Sequence, residues 1–241
     1  MADRIRTEPV VGQLSQALAV GDVVLRAVWS PAVWAKLTAA VAAGELVEPT
    51  DYPGAQQDIT AALLEFGQKK QALVVGSVSP WVEAILHAQG YQPCTLDINP
   101  PIDEAGCSVS LTYDDTKSRS WKFNTIVSFS TTEHIGLGRY GDELDPLGDV
   151  KWMRWAKSVL APEGVLLLAV PLATTGTIEK NYHRIYGPTT YQKLTAGWDV
   201  VAAFRHGRRT RQPLWRSPRQ TGLPAWQHQP LVVLRPSQGT K

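Results

Sequence analysis

The chain has 241 residues, 44% of them hydrophobic and 19% charged, with a formal net charge of +2. That is enough apolar material for a sizeable core in one large domain, and no run approaches the roughly 18 consecutive apolar residues that a membrane-spanning helix needs. Cys94 and Cys107 lack metal-ligand or CxxC spacing, so both read as reduced, buried residues and no metal is expected, while the opening MADRIRTEP resembles neither a signal nor a transit peptide and leaves a cytoplasmic protein as the default.

From Gly12 to about Gly67 apolar residues recur at helical spacing: Leu14, Leu18, Val24 and Val28, then Trp34, Leu37 and Val41, then Ile59, Leu63 and Leu64. Ser30-Pro31 supplies an N-cap and a first-turn proline, and Gly44 a stop. Residues 1–67 are therefore expected to form an N-terminal helical extension that caps or braces a second domain, 68–241. After Lys70 the pattern changes to short β-rich runs at Ala72–Val75, Pro93–Leu96, Ser108–Tyr113, Thr125–Phe129 and Val165–Val170, separated by helix-compatible segments. That alternation predicts an α/β fold, a mostly parallel twisted sheet with helices on both faces. Right-handed crossovers collect the strand ends along one edge, where ligands bind. Trp198–Phe204 and Leu231–Pro236 read as two further strands. Between them Arg205, Arg208, Arg209, Arg211, Arg216 and Arg219 follow one another with no acid interposed. An anionic partner such as a nucleic acid would suit this run, but no RNA-reading fold accompanies it, and a solvated arginine-rich loop is the plainer reading.

The stretch ALVVGSVSPWVEAIL has the order of a nucleotide cradle, strand, turn and helix, yet carries only Gly76 where a dinucleotide site asks for G-x-G-x-x-G. The next strand ends in TLDIN, which places Asp97 about twenty residues on, where a carboxylate can accept hydrogen bonds from both hydroxyls of a ribose. LTYDDT and TIVSFSTTEHIGLGRYGDELDPLGD then bring Asp114, Asp115, Ser130, Glu133 and His134 to the same edge. This succession, followed by LAPEGVLLLAVP with its Pro-Glu-Gly turn, resembles a class I S-adenosylmethionine-dependent methyltransferase from Ala72 to Pro171, and more weakly on to Pro236. The words GSVSPW, TLDINP, SFSTTEHIGLGRYGDELDP, KWMR and HRIYG are similar to a small domain-of-unknown-function family inside that superfamily, which carries Gly-Ser-Val-Ser-Pro-Trp in place of a glycine-rich loop.

The resemblance implies a Rossmann-like methyltransferase fold and S-adenosylmethionine as cofactor, held by Gly76, Ser77, Asp97, Asp114 or Asp115, and Ser130. A sulfonium cofactor has no pyrophosphate, so one glycine can suffice. Each residue also has a plainer role: Asp97 as a cap of its own turn, Gly76 as a tight turn, Asp114-Asp115 as a polar turn. His134 is the candidate general base and Glu133 its orienting or substrate-binding neighbour; the alternative for His134 is a satisfied scaffold histidine. Arg139, Tyr140, His183, Arg184 and Tyr186 are candidates for the substrate side. Asp142, Glu143, Asp145 and Asp149 have oxygen ligands but no ordered spacing for a cation. The expected function is methyl transfer to a small or glycan-like hydroxyl or carboxyl acceptor. The alternative is a catalytically inactive methyltransferase-like subunit with a structural or binding role in a protein or ribonucleoprotein assembly, its nine tryptophans covering a partner surface.

Overall fold

The computed structural model describes residues 26–68, 70–118, 120–179, 183–211 and 214–238. A short strand β1 (Val28–Trp29) precedes helices α1 (Pro31–Ala42) and α2 (Ala55–Phe66). Next come β2 (Gln71–Val75), α3 (Trp81–Ala88), β3 (Gln92–Leu96), β4 (Ile102–Asp103), β5 (Val109–Leu111), α4 (Tyr113–Ser118) and β6 (Phe123–Phe129). The second half holds α5 (Gly148–Val159), β7 (Leu160–Ala169), the hairpin β8 (Thr177–Glu179) and β9 (His183–Ile185), and α6 (Pro188–Leu194). It closes with β10 (Trp198–Arg205), β11 (Arg208–Arg209), α7 (Pro218–Thr221) and β12 (Leu231–Pro236).

Eight strands form one sheet in the order β11-β10-β12-β7-β6-β2-β3-β5. The pairs β7–β6, β6–β2, β2–β3 and β3–β5 are parallel, and β12 runs antiparallel to both β7 and β10. Alternate side chains of the central strands feed two cores. Leu73, Val75, Leu166 and Leu168 face α5 and α6 through Trp152, Met153, Tyr191 and Leu194, whereas Ala72, Val74, Val165 and Leu167 face α2 and α3 through Ile59, Leu63, Val82 and Ile85. Burial on both faces is why these strands read as continuous apolar runs. The order reverses at β2: the chain steps outward to β3 and β5, then returns to lay β6 on the other side. The carboxyl ends of β2 and β6 therefore flank the crevice where open parallel sheets bind ligands.

Several expectations change. Val28, assigned to a helix, lies in β1 and pairs with Ile102 of β4; Leu14, Leu18 and Val24 lie outside the described residues. Ser30 caps α1 through its side chain, with Pro31 in the first turn, as local chemistry requires. Leu64 is 75% exposed, because the buried stripe of α2 runs through Ala55, Ile59, Ala62 and Leu63. The strand expected over Ser108–Tyr113 shortens to β5, and Tyr113 opens α4. The Pro-Glu-Gly turn becomes an irregularity inside β7: Phe123 pairs with Leu160 and Thr125 with Val165, with Glu163 at φ +62 in between. The arginine run is not one loop either. Arg205 and Arg208 pair across the β10–β11 hairpin, Arg209 meets Glu65 at 2.7 Å, and Arg219 lies in α7.

Candidate functional site

The crevice begins at Gly76, whose φ of +73 suits glycine alone. A β-carbon there would lie 2.4 Å from the Thr131 side chain, which leans across from the end of β6 and donates to the Val75 carbonyl at 2.8 Å. Gly76 thus serves the close approach of the two strand ends. Ser77 points back into the protein: its one hydroxyl hydrogen is shared between the Ser79 carbonyl and Glu83 Oε2, each 3.1 Å from Oγ. Glu83 is fully buried and also accepts from Thr95 at 2.8 Å; burial pushes its carboxyl up to about 7.

Asp97 joins the β2 and β3 ends. Its Oδ2 accepts the Ser77 amide at 3.1 Å and its Oδ1 the Asn99 amide at 2.8 Å, while burial raises its carboxyl above the ordinary value against the pull of those amides. With the Ile98 amide as a third donor, the four lone-pair sites of the carboxylate are not all used. Asp114 and Asp115 sit exposed in the first turn of α4, where Asp115 accepts the Thr112 amide and hydroxyl at 2.7 and 2.6 Å. Thus Gly76, Ser77 and Asp97 come together, and the two later acids belong to a helix start. Trp81 packs edge-on against Phe129 within the core, and Tyr113 lies against Trp155.

Two other aromatic residues border the crevice. Trp29 from β1 donates to the Val78 carbonyl at 3.2 Å. Tyr140 accepts from Asn99 through its carbonyl at 2.8 Å and sets its ring edge-on to His134, 5.5 Å between centroids. Burial raises the Tyr140 hydroxyl; Arg139 opposes the shift, and Glu133, Tyr52 and Asp97 reinforce it. The segment carrying Tyr140 turns through Gly136, Gly138 and Gly141, all at positive φ, and Asp142 ties it down by accepting the Gly136 and Tyr140 amides at 2.6 and 3.3 Å. It spans the edge like a strap.

Beyond β6, a one-turn helix over Thr132–His134 buries Glu133, 1% exposed. Its Oε1 accepts from Ser130 at 2.8 Å, and its Oε2 has no hydrogen-bond partner among the described residues. Burial pushes this carboxyl up to about 7, with Ser130 and Arg139 pulling the other way. His134 places Nε2 at 3.8 Å from Glu133 Oε1 and Nδ1 at 3.4 Å from an Arg139 guanidinium nitrogen. His183 stacks edge-on at 6.0 Å and meets Glu179 at 3.3 Å.

Arg184 and Tyr186, expected on the substrate side, are buried struts. Arg184 donates to the Ile135 and Glu133 carbonyls at 2.7 and 3.3 Å and lies 3.4 Å from Asp149, which also accepts the Tyr186 hydroxyl at 2.8 Å. The acidic run is similarly spent on the scaffold: Asp145 takes the Leu147 amide and Lys151. Among the described residues no group of three His, Cys, Asp or Glu side chains is placed to hold a metal ion, and no helix is long and apolar enough to cross a membrane.

Sequence reasoning missed Tyr52 and Gln229. Both bond to Ser130, Tyr52 through its hydroxyl and Gln229 through Nε2, each at 3.0 Å. They lie in proline- and glycine-bearing connections 78 and 99 residues away from Ser130, with no spacing to flag them. With Phe129, Asp58 and Gln227 they line a cavity of about 20 Å³.

The family model described as "Caenorhabditis protein of unknown function, DUF268" matches residues 69–236. Among solved structures, the 1,6-didemethyltoxoflavin-N1-methyltransferase of Burkholderia thailandensis, with S-adenosylhomocysteine bound, superposes with TM-score 0.54 at 15% identity, covering 86% of this chain and 88% of that one. The CcbJ methyltransferase of Streptomyces caelestis gives 0.53 at 13% identity, over 80% and 94% of the two chains. The N-methyltransferase NodS of Bradyrhizobium japonicum gives 0.50 at 17%, over 86% and 99%. No curated protein matches the sequence. At such identities the likeness establishes the fold, a Rossmann-like methyltransferase fold.

Proposed function

This chain belongs to the DUF268 family and has a Rossmann-like methyltransferase fold, and from that premise we propose that it is an S-adenosylmethionine-dependent enzyme that methylates a small acceptor through a hydroxyl or amino group. Bound S-adenosylmethionine supplies an electrophilic methyl group on a sulfonium that leaves as a neutral thioether. The residues at the β2 and β3 ends fit such a group. The acceptor capacity left on Asp97 can take a ribose hydroxyl, and the Gly76 turn, closed against Thr131, holds the end of β2 beside it. Ser77 contributes indirectly, by fixing Asp97 through its amide.

The observation that carries the reading is Glu133, a carboxyl 1% exposed with one oxygen unpartnered. Leaving a buried charged oxygen without a partner costs on the order of 1–3 kcal/mol, a burden that active sites retain for use. Held near neutrality at about 7, Glu133 is matched to accept the proton that an O–H or N–H nucleophile gives up as it takes the methyl group. His134, with Nδ1 toward Arg139 and Nε2 beside Glu133, is placed to orient the acceptor. A carboxylate acceptor fits less well, since it has no proton to lose and would set two anions together. Tyr140 and its strap must shift for an acceptor to reach Glu133.

A second reading, an inactive methyltransferase-like subunit, draws on the amides already occupying Asp97 and on the strap across the edge. Calorimetric titration with S-adenosylmethionine and S-adenosylhomocysteine separates the two. Saturable binding is expected, weakened by about 1–3 kcal/mol in Asp97→Ala, the loss typical of hydrogen bonds to a charged group. Absence of binding to the folded protein would select the inactive subunit.

A further inference from the structure

Ser130 closes β6 at φ +51, a left-handed conformation that a β-carbon resists. Such backbone persists where its surroundings over-determine it, and here two distant parts of the chain converge on one hydroxyl. Tyr52, ahead of α2, donates to Ser130 Oγ at 3.0 Å. Gln229, ahead of β12, donates its Nε2 to the same oxygen at 3.0 Å. The orientation of that amide is independently determined, because Nε2 also donates to the Trp226 carbonyl at 2.9 Å, and a carbonyl can only accept. A serine oxygen has two lone pairs and one hydrogen. With both lone pairs taken, the hydrogen goes to Glu133 Oε1 at 2.8 Å.

The consequence falls on Glu133. Oε1 keeps a second lone-pair site, but a protonated hydroxyl oxygen accepts more weakly than a carbonyl oxygen, so a proton on Oε1 would weaken the Ser130 hydrogen bond. Oε2, the oxygen without a partner among the described residues, is therefore the one that protonation favours.

We propose that Tyr52, Ser130 and Gln229 are positioning residues that hold Glu133 Oε1 as an acceptor and direct proton exchange to Oε2. This rests on the reading of Glu133 as the proton acceptor in methyl transfer, and adds which oxygen acts and what aims it. Other titratable or charged groups around Glu133 are His134 at 3.8 Å and Arg139 on its own segment, Tyr140 on the strap, and Arg184 and Tyr186 from and beside β9. None of these bonds to Ser130 Oγ, which isolates the clamp for mutation.

The test is the titration of Glu133 in cofactor-free protein, followed by the infrared carboxyl band that Glu133→Gln removes. Ser130→Ala takes away the hydrogen bond that favours the charged form and is expected to raise the midpoint by about one pH unit. Tyr52→Phe frees one Ser130 lone pair, lets the hydroxyl turn away part of the time, and is expected to shift the midpoint the same way by less. Because Tyr52 acts through Ser130, the double variant is expected to match Ser130→Ala alone. A wild-type midpoint in Tyr52→Phe, or additive shifts in the double variant, would overturn the clamp. Methyl transfer is judged separately, by calorimetry with S-adenosylmethionine: failure to bind sinks that reading and leaves the titration result standing.

Discussion

Glu83 illustrates how a residue that looks incidental in the sequence governs the site. It sits in the first turn of α3 with no solvent exposure, receiving the Ser77 and Thr95 hydroxyls, so it ties the turn after Gly76 to strand β3. Burial lifts its carboxyl from an ordinary 4.5 to about 7. The folded state therefore binds this proton more tightly than the unfolded chain. The resulting stability is fully present below about pH 4.5 and is lost as the pH rises through about 7. Glu83→Gln, which keeps the shape and one acceptor, is expected to make stability fall less steeply between about pH 5 and about pH 8 in urea unfolding. Parallel curves for variant and wild type would mean that Glu83 ionises normally in the folded state. Asp97 teaches the complementary lesson: its position after a strand was legible from spacing, whereas its two amide bonds are set by how β2 and β3 pair.

Among the elements, the strap from Gly136 to Asp142 shows the greatest distance between sequence and structure. GLGRYGDELDP reads as a polar surface turn with acids suited to a cation, yet Asp142 spends both oxygens on the strap's own amides. Gly136 is needed there: a β-carbon would stand 2.1 Å from the Asp145 carbonyl oxygen. Besides these amides and the Asn99 bond, the Asp145 amide donates to the Gly136 carbonyl at 3.0 Å and Leu137 is buried; these contacts lie outside the sheet ladders, which makes the strap a unit that can open without the sheet. Asp142→Ala is expected to lower the opening free energy of its amides by about 1–3 kcal/mol. Hydrogen exchange would then quicken over residues 136–142 and stay unchanged in β6 and β7. Uniform acceleration would tie the strap to global unfolding instead. The short strand β1 also escaped a periodicity reading, since two residues cannot display a period, and Val28 happens to continue a helical spacing from Val24.

At the scale of the whole molecule, the described part of the N-terminal region and the sheet share one structure. Ile59, Ala62 and Leu63 of α2 belong to the same core as Val74, Val127 and Leu167, and Trp29, 1% exposed, reaches the Val78 carbonyl beside the crevice. Trp29→Ala is expected to cost about 3–5 kcal/mol of stability, as large buried aromatics do, measured by chemical denaturation as one cooperative transition. A loss confined to a separate early transition would show that the N-terminal region unfolds by itself. The sequence alone determined the α/β class, the parallel strands from Ala72 onward, the two final strands and the position of Gly76 and Asp97, because strand burial on two faces and turn chemistry are written in consecutive residues. Only the tertiary structure decided that Ser77 turns inward, that Arg184 and Tyr186 are buried struts, that Tyr140 lies over the edge, and that Tyr52 and Gln229 aim Glu133 through Ser130. Apart from Ser77, whose hydroxyl meets Glu83 six residues on, those roles depend on hydrogen bonds across 37 to 99 residues of chain, and a hydrogen bond between distant segments leaves no local pattern in either one.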